Sequence, residues 1–186
     1  MALTSLFLLV ASILPKSDTA FTYSLRQGQD DSCGYAVVAS LLNIYSGMLV
    51  DEATLHAEYG TVNEGEISFA DMKMILDEYG VSSRGYLMDI FEVAESLELV
   101  RPLVIHFAHP YRHFALLLGR IDAGFVVADP ANGLVLLAFE EFVTRVSGAV
   151  LVASVHEEMS NALCGAAVEA VQTRMAQLGT IDCFIH

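Results

Sequence analysis

Beyond Pro102 the sequence breaks into short apolar runs, and this pattern limits the fold more than any other feature. Leu103–Phe107, His113–Ile121, Phe125–Ala128, Val135–Ala138 and Ala149–Val155 are rich in Val, Leu and Ile. Asp122-Ala123-Gly124 and Asn132-Gly133 punctuate them with hairpin-turn chemistry. Runs of this length, separated in this way, predict a meander of antiparallel strands. Phe139–Val146 predicts one helical excursion before the last strand.

Before Pro102 the periodicity is helical. Ser32–Ser46 is small and apolar on nearly all sides, which predicts a buried helix capped by Asp31 or Ser32 and stopped at Gly47. Cys33 then falls in its first turn. Further helices are predicted at Asp51–Tyr59, near Asp89–Leu97, and at Phe69–Tyr79, where Ser68 and Asp71 have capping-box spacing. The tail Glu157–Leu178 returns to helical spacing, with Met159, Leu163, Ala167, Val171 and Met175 near one face. Helices first and strands second predict an α+β domain, N-terminal helices packed on an antiparallel sheet, over residues 21–156. Residues 157–186 are expected as a helical tail packed on it. A chain of 186 residues holds one such domain, and 54% hydrophobic against 17% charged residues excludes a disordered chain.

The excess of 23 acidic over 9 basic residues, a net charge of −14, excludes a nucleic-acid partner, which needs clustered Lys and Arg. Leu3–Leu14 is apolar, and its 12 residues are too few to span a bilayer as a helix but suit the core of a secretory signal. Residues 1–20 are therefore expected to be a signal peptide. No Lys or Arg precedes the run, and Asp18 stands where a small residue is usual before a cut after Ala20. Export implies a periplasmic or secreted protein with no stable membrane insertion once the signal is removed. Three cysteines in such a protein divide most simply into one working thiol, Cys33, and a Cys164–Cys183 disulfide.

The residues able to do chemistry gather around Cys33. A helix N-terminus favours the thiolate form of a thiol placed there, and the thiolate is the nucleophile. Gly34 beside it is expected to let a substrate carbonyl approach the backbone. His113 begins a strongly apolar strand and Asp129 ends the next, 16 residues on, with the Asp122–Gly124 turn close to their midpoint. A hairpin closing there brings both to one sheet edge within about two residues of register, as a carboxylate orienting an imidazole requires. Gln27 lies six residues before Cys33 in a polar loop, and its amide is a candidate oxyanion donor together with the Cys33 N–H. Gln29 is the alternate donor. Asp30 and Asp31 are expected as solvated loop acids or helix caps that bias the cleft toward basic substrate residues. His106, His109 and His113 lie close in sequence, but Pro110 interrupts any helix aligning them and no carboxylate joins the cluster, so no metal site is assigned.

Gln27 through Cys33-Gly34, with the Ala/Leu-rich helix ending Tyr45-Ser46-Gly47, resembles the N-terminal motif of the bacteriocin-processing peptidases of the papain-like cysteine peptidase superfamily. Pro102-Leu103-Val104-Ile105, His113-Phe114, Asp129-Pro130-Ala131-Asn132-Gly133, Phe139-Glu140-Glu141-Phe142 and Ser147-Gly148 extend the resemblance over roughly residues 22–155. The resemblance implies a papain-like fold and a cysteine endopeptidase without a cofactor. Cys33 would be its nucleophile, His113 its general acid/base, Asp129 its orienting group and Gln27 its oxyanion donor. Ser32 stands where the family often has Asp. The family often cuts leader peptides after Gly-Gly while fused to a transporter. This sequence contains no nucleotide-binding glycine loop, and so resembles a stand-alone, exported branch. Its partners would be a peptide or protein substrate and a secretion system. Alternatives from other classes are a degenerate module that binds a peptide or leader without cutting it, and an acyl transferase of the same superfamily.

Overall fold

A computed structural model of the chain describes residues 18–60 and 67–182. In chain order these form a 3-10 turn (Asp18–Phe21), helices α1 (Cys33–Asn43), α2 (Glu52–Tyr59) and α3 (Phe69–Glu78), strand β1 (Ser83–Leu87) and helix α4 (Ile90–Leu99). Strands β2 (Leu103–Phe107), β3 (His113–Ile121), β4 (Gly124–Asp129) and β5 (Gly133–Leu137) follow. Helix α5 (Phe139–Arg145), strand β6 (Val146–Ala153) and helix α6 (Glu157–Asp182) complete the chain. The strands make one antiparallel sheet in the order β1-β6-β2-β3-β4-β5. The α+β expectation holds, and every predicted strand is present.

Each face of the sheet has its own core. One carries Val104, Phe114, Leu116, Leu118, Val126 and Ala128 against α1, α2, α3 and α6. The other carries Ile105, Phe107, Ala115, Leu117, Phe125 and Val127 against α4 and α5. Helix α1 is the centrepiece of the first: Cys33 through Leu42 are all buried, so it is apolar on every side because it is covered on every side. Each fully buried Leu there contributes about 2 kcal/mol by leaving water. Helices α2, α3 and α4 start at Asp51, Ser68 and Asp89, whose side chains accept first-turn N–H bonds; the last two complete capping boxes.

Two features depart from the sequence reading, and a third expectation falls mostly outside the described residues. Strand β1 is not anticipated: it lies at the sheet edge, four of its five residues are exposed, and Ser-Arg-Gly-Tyr-Leu has no apolar alternation to betray it. The Cys164–Cys183 disulfide is corrected. Cys164 carries a free, fully buried thiol in the first half of α6, and 18 residues of continuous helix separate it from Asp182 by about 27 Å. A disulfide needs Cα atoms within about 7 Å; Cys183 itself lies outside the described residues. The expected signal segment lies outside them as far as residue 17, and its boundary at Ala20 falls within the 3-10 turn. Ala20 is buried there against Gly133, whose φ of +81° and lack of a Cβ admit the contact. Among the described residues, no helix is long and apolar enough to cross a membrane.

Candidate active site

Cys33 is the first residue of α1, with Ser32 at the N-cap. A serine there ordinarily turns its hydroxyl forward onto the first-turn N–H groups. Here the Ser32 hydroxyl turns back, donating to the Gln29 carbonyl at 2.9 Å and accepting from the Gln29 N–H at 3.1 Å. No side chain caps the helix, so its first-turn N–H groups and the positive end of its dipole are left at the Cys33 sulfur.

His113 and Asp129 are brought together by a defect in the β3–β4 ladder. Near the turn Ile121 pairs with Gly124 and Gly119 with Val126, but beyond a bulge Leu117 pairs with Val127 and Leu116 with Ala128. Extrapolated, Asp129 stands across from Ala115, two residues from His113 and on the same face. Without the bulge the ladder would set Asp129 across from Leu116, on the opposite face, because side chains alternate with period two. The bulge thus turns proximity into contact: His113 Nε2 lies 2.9 Å from Asp129 Oδ1.

The Asp129 carboxylate, 5% exposed, is held from several sides. Its Oδ1 also accepts the N–H groups of Ala131 at 2.8 Å and Asn132 at 3.2 Å, and Oδ2 accepts the Asn132 side-chain amide at 3.2 Å. Burial pushes its pKa up, but the hydrogen bonds and charge of His113, with those of Ala131 and Asn132, outweigh it and leave the pKa below the ordinary value. An ionised Asp129 can only accept, so Nε2 of His113 carries the proton and Nδ1 is left for Cys33, with which His113 is also hydrogen-bonded. For His113, burial pulls the pKa down. The bonds to Asp129 and Cys33 and their charges overcome this and carry it to about 9. Cys33, His113 and Asp129 therefore form one hydrogen-bonded line.

Gln27 is placed beside this line by its backbone. The chain leading to it is pinned by the Leu25 N–H on the Ser40 hydroxyl (2.8 Å) and by the Tyr45 hydroxyl on the Tyr23 carbonyl (2.9 Å). The Gln27 N–H itself donates to the Pro130 carbonyl, next to Asp129, at 2.9 Å. Its side-chain Nε2 donates to the carbonyls of Gln29 at 2.9 Å and Asp30 at 3.4 Å. The short bond orients the amide within its own loop. Gln29 takes part through its backbone, bonding Gln27 and Ser32.

Asp30, Asp31, Cys33, Ile67, Arg112 and Phe114 line a cleft of about 230 Å³ at the nucleophile end. Gly34 has a packing part that the sequence reading did not assign it. A Cβ there would lie 1.9 Å from Ile67 Cγ2 and 2.9 Å from Met72 Cε, so its bareness serves helix packing. The three histidines diverge. His106 bonds the Ser147 hydroxyl at 3.0 Å, His109 is exposed, and His113 faces Asp129. Among the described residues, no group of three or more His, Cys, Asp or Glu is arranged to hold a metal. The sequence reading missed Asn132 and the reversed Ser32. Asn132 was legible only as a turn residue, and nothing local distinguishes a serine that caps from one that turns away.

Residues 22–158 match the model of the peptidase C39 family. The "Probable functional amyloid protease FapD" of Pseudomonas aeruginosa is 31% identical over 137 residues, 70% of this chain; the chain spans 59% of that relative's length. A crystal structure of a double glycine motif protease from an AMS/PCAT transporter, in complex with the leader peptide, superposes with a TM-score of 0.60 at 25% identity. It covers 71% of this chain and 90% of that one. The peptidase domain of Streptococcus ComA, a bi-functional ABC transporter involved in a quorum sensing pathway, shares the fold at a TM-score of 0.63 and 19% identity, over 71% of this chain and 97% of its own. The helices laid on an antiparallel sheet are thus a papain-like peptidase fold. With the family match running from the N-terminal loop to the start of α6, this chain belongs to the peptidase C39 family and so to the cysteine peptidases.

Proposed function

We propose that the chain is an exported endopeptidase that cuts a leader or precursor peptide through a Cys33 thiolate. The observation carrying this reading is the hydrogen-bonded line from Cys33 through His113 to Asp129, with the imidazole at a pKa of about 9. At neutral pH such an imidazole is protonated, and it is hydrogen-bonded to Cys33. The thiolate attacks the scissile carbonyl, and the oxyanion so formed is met by the Cys33 N–H and the Gln27 amide. His113 passes its proton to the leaving amine as the C–N bond breaks, giving a thioester. The imidazole, now neutral, takes a proton from water; the hydroxide attacks the thioester, and the acid product leaves with the thiolate restored. Asp129 stays ionised throughout and holds the ring in one tautomer.

Support for a peptide substrate comes from the double glycine motif protease, solved with a leader peptide. The Pseudomonas protein, named as a probable functional amyloid protease, supports a protein precursor as substrate, and the transporter origin of the double glycine motif protease supports a secretion system as partner. The apolar run Leu3–Leu14 supports export to the periplasm or beyond. Peptides released in the exported fraction, compared by mass spectrometry between native protein and Cys33→Ala, test the whole reading. The variant should release none of the native products, a loss of at least about 10⁴-fold. The same products from both proteins would overturn it.

A further inference from the structure

Behind the imidazole stands a stack that the catalytic line itself does not use. Phe107 pairs directly across from His113 in the β2–β3 ladder, so both side chains leave the same face of the sheet. Their rings are nearly parallel, at 9°, with centroids 6.3 Å apart. Phe107 is 1% exposed and cannot turn away. The Arg145 guanidinium lies over it at 4.6 Å, and Phe142 meets it edge-on at 6.3 Å. Arg145 is held by Glu141 at 3.0 Å, and its carbonyl accepts the N–H groups of Ala108 and His109, clamping the end of α5 to the end of β2.

We propose that Phe107, backed by Arg145, is a positioning residue that sets the plane of the His113 ring. The hydrogen bonds to Asp129 and Cys33 both lie along in-plane directions of the imidazole, so a tilt that improves one spoils the other. A flat, immobile ring against one face removes the tilt. The charged or titratable groups against His113 are Asp129 from β4 and Cys33 from α1; His106 leaves the opposite face of β2 and is coupled to it only through charge, and Arg145 acts from α5 through Phe107. Arg112 precedes His113 in the chain and, with Asp30 and Asp31, lines the cleft containing Cys33. This inference rests on the thiolate–imidazolium reading given above.

Iodoacetamide tests it without knowledge of the substrate, because alkylation at pH 6 reports the ion-paired thiolate whereas at pH 9.5 most thiols ionise unaided. The rate is followed by mass at the Cys33 peptide of the full chain. In Phe107→Leu the rate at pH 6 should fall about tenfold while the rate at pH 9.5 stays within about twofold. Arg145→Met should fall less, about threefold at pH 6, and the double variant should be no worse than Phe107→Leu alone, since both act through one ring. A native pH profile in Phe107→Leu, with only a lowered thermal midpoint, overturns the inference. Should that variant not fold, a native profile in Arg145→Met overturns it instead. Native protein that fails to react at pH 6 sinks the peptidase mechanism itself, a different outcome from either.

Discussion

At the scale of single residues the site is governed by the pairing of His113 with Asp129, and that pairing ties folding to pH. The His113 pKa is about 9 when folded, above its ordinary 6.5, so the folded protein binds the proton more tightly. Its contribution to stability is fully present below pH 6.5 and is lost as pH rises through about 9. Asp129, held below the ordinary carboxylate value, contributes stability that is lost as pH falls through its folded pKa. The urea midpoint of the native protein should therefore decline between pH 6.5 and 9, and Asp129→Asn should flatten that decline. A midpoint equally steep in both proteins would remove His113 as its source. Cys33, His113, Asp129 and Gln27 were all legible as candidates, because an imidazole at the head of an apolar strand has no packing reason to be there, and a helix-first cysteine, a carboxylate closing the next strand and a loop amide are spaced to join it. Gly34 was legible as special, but its packing reason was not. Its reason lies in Ile67 and Met72, which are distant in sequence and whose positions no local pattern reports.

Elements of secondary structure decide which of those candidates meet. The β3–β4 bulge leaves Leu118 and Gly119 both toward the α1 and α6 side: Leu118 belongs to that core, and a Cβ on Gly119 would meet Val168 of α6. The registers on either side of the bulge are those of a continuous ladder one residue shorter. Deleting Leu118 should therefore close the ladder without moving His113 from Asp129. We expect a stability loss of about 3 kcal/mol from the missing core side chain, with Cys33 alkylation at pH 6 kept within about threefold of native. A collapse of alkylation in a folded deletion variant would show that the bulge positions His113 by more than register. Hairpin length and turn chemistry made the pairing readable to within two residues. The face could not be read, since one extra residue in a strand reverses it and any of several positions could have absorbed that residue.

The whole molecule depends on a helix that the family match barely touches. The matched region ends at residue 158, just inside α6, yet α6 buries Ser160, Cys164, Ala167 and Val171 and packs on β3, β4 and β5. Its Ser160 hydroxyl donates to the Arg101 carbonyl, fastening the helix to the approach to β2. The Cys164 thiol, pushed up to about 12 by burial, is a packing group with no nucleophilic character at neutral pH. Truncation after His156 should expose the apolar face carrying Leu116, Leu118 and Val126. The product should bind a hydrophobic dye or aggregate on expression; a soluble, cooperatively unfolding one would show that the peptidase core stands alone.

The sequence by itself determined the class of fold, the order of nearly all elements and the candidate residues for the chemistry. Periodicity, caps and turn residues act over a few positions, and chemistry-bearing side chains are conspicuous in apolar strands. Only the tertiary structure decided that Ser32 leaves the helix end uncapped, that Gly34 serves packing, and that β1 closes the sheet edge. It also decided that Cys164 is a free, buried packing thiol and that a bulge sets Asp129 on the same face as His113. Each of these is settled by contacts between segments far apart in the chain, where a shift of one residue or a few ångströms changes the outcome and leaves no local trace.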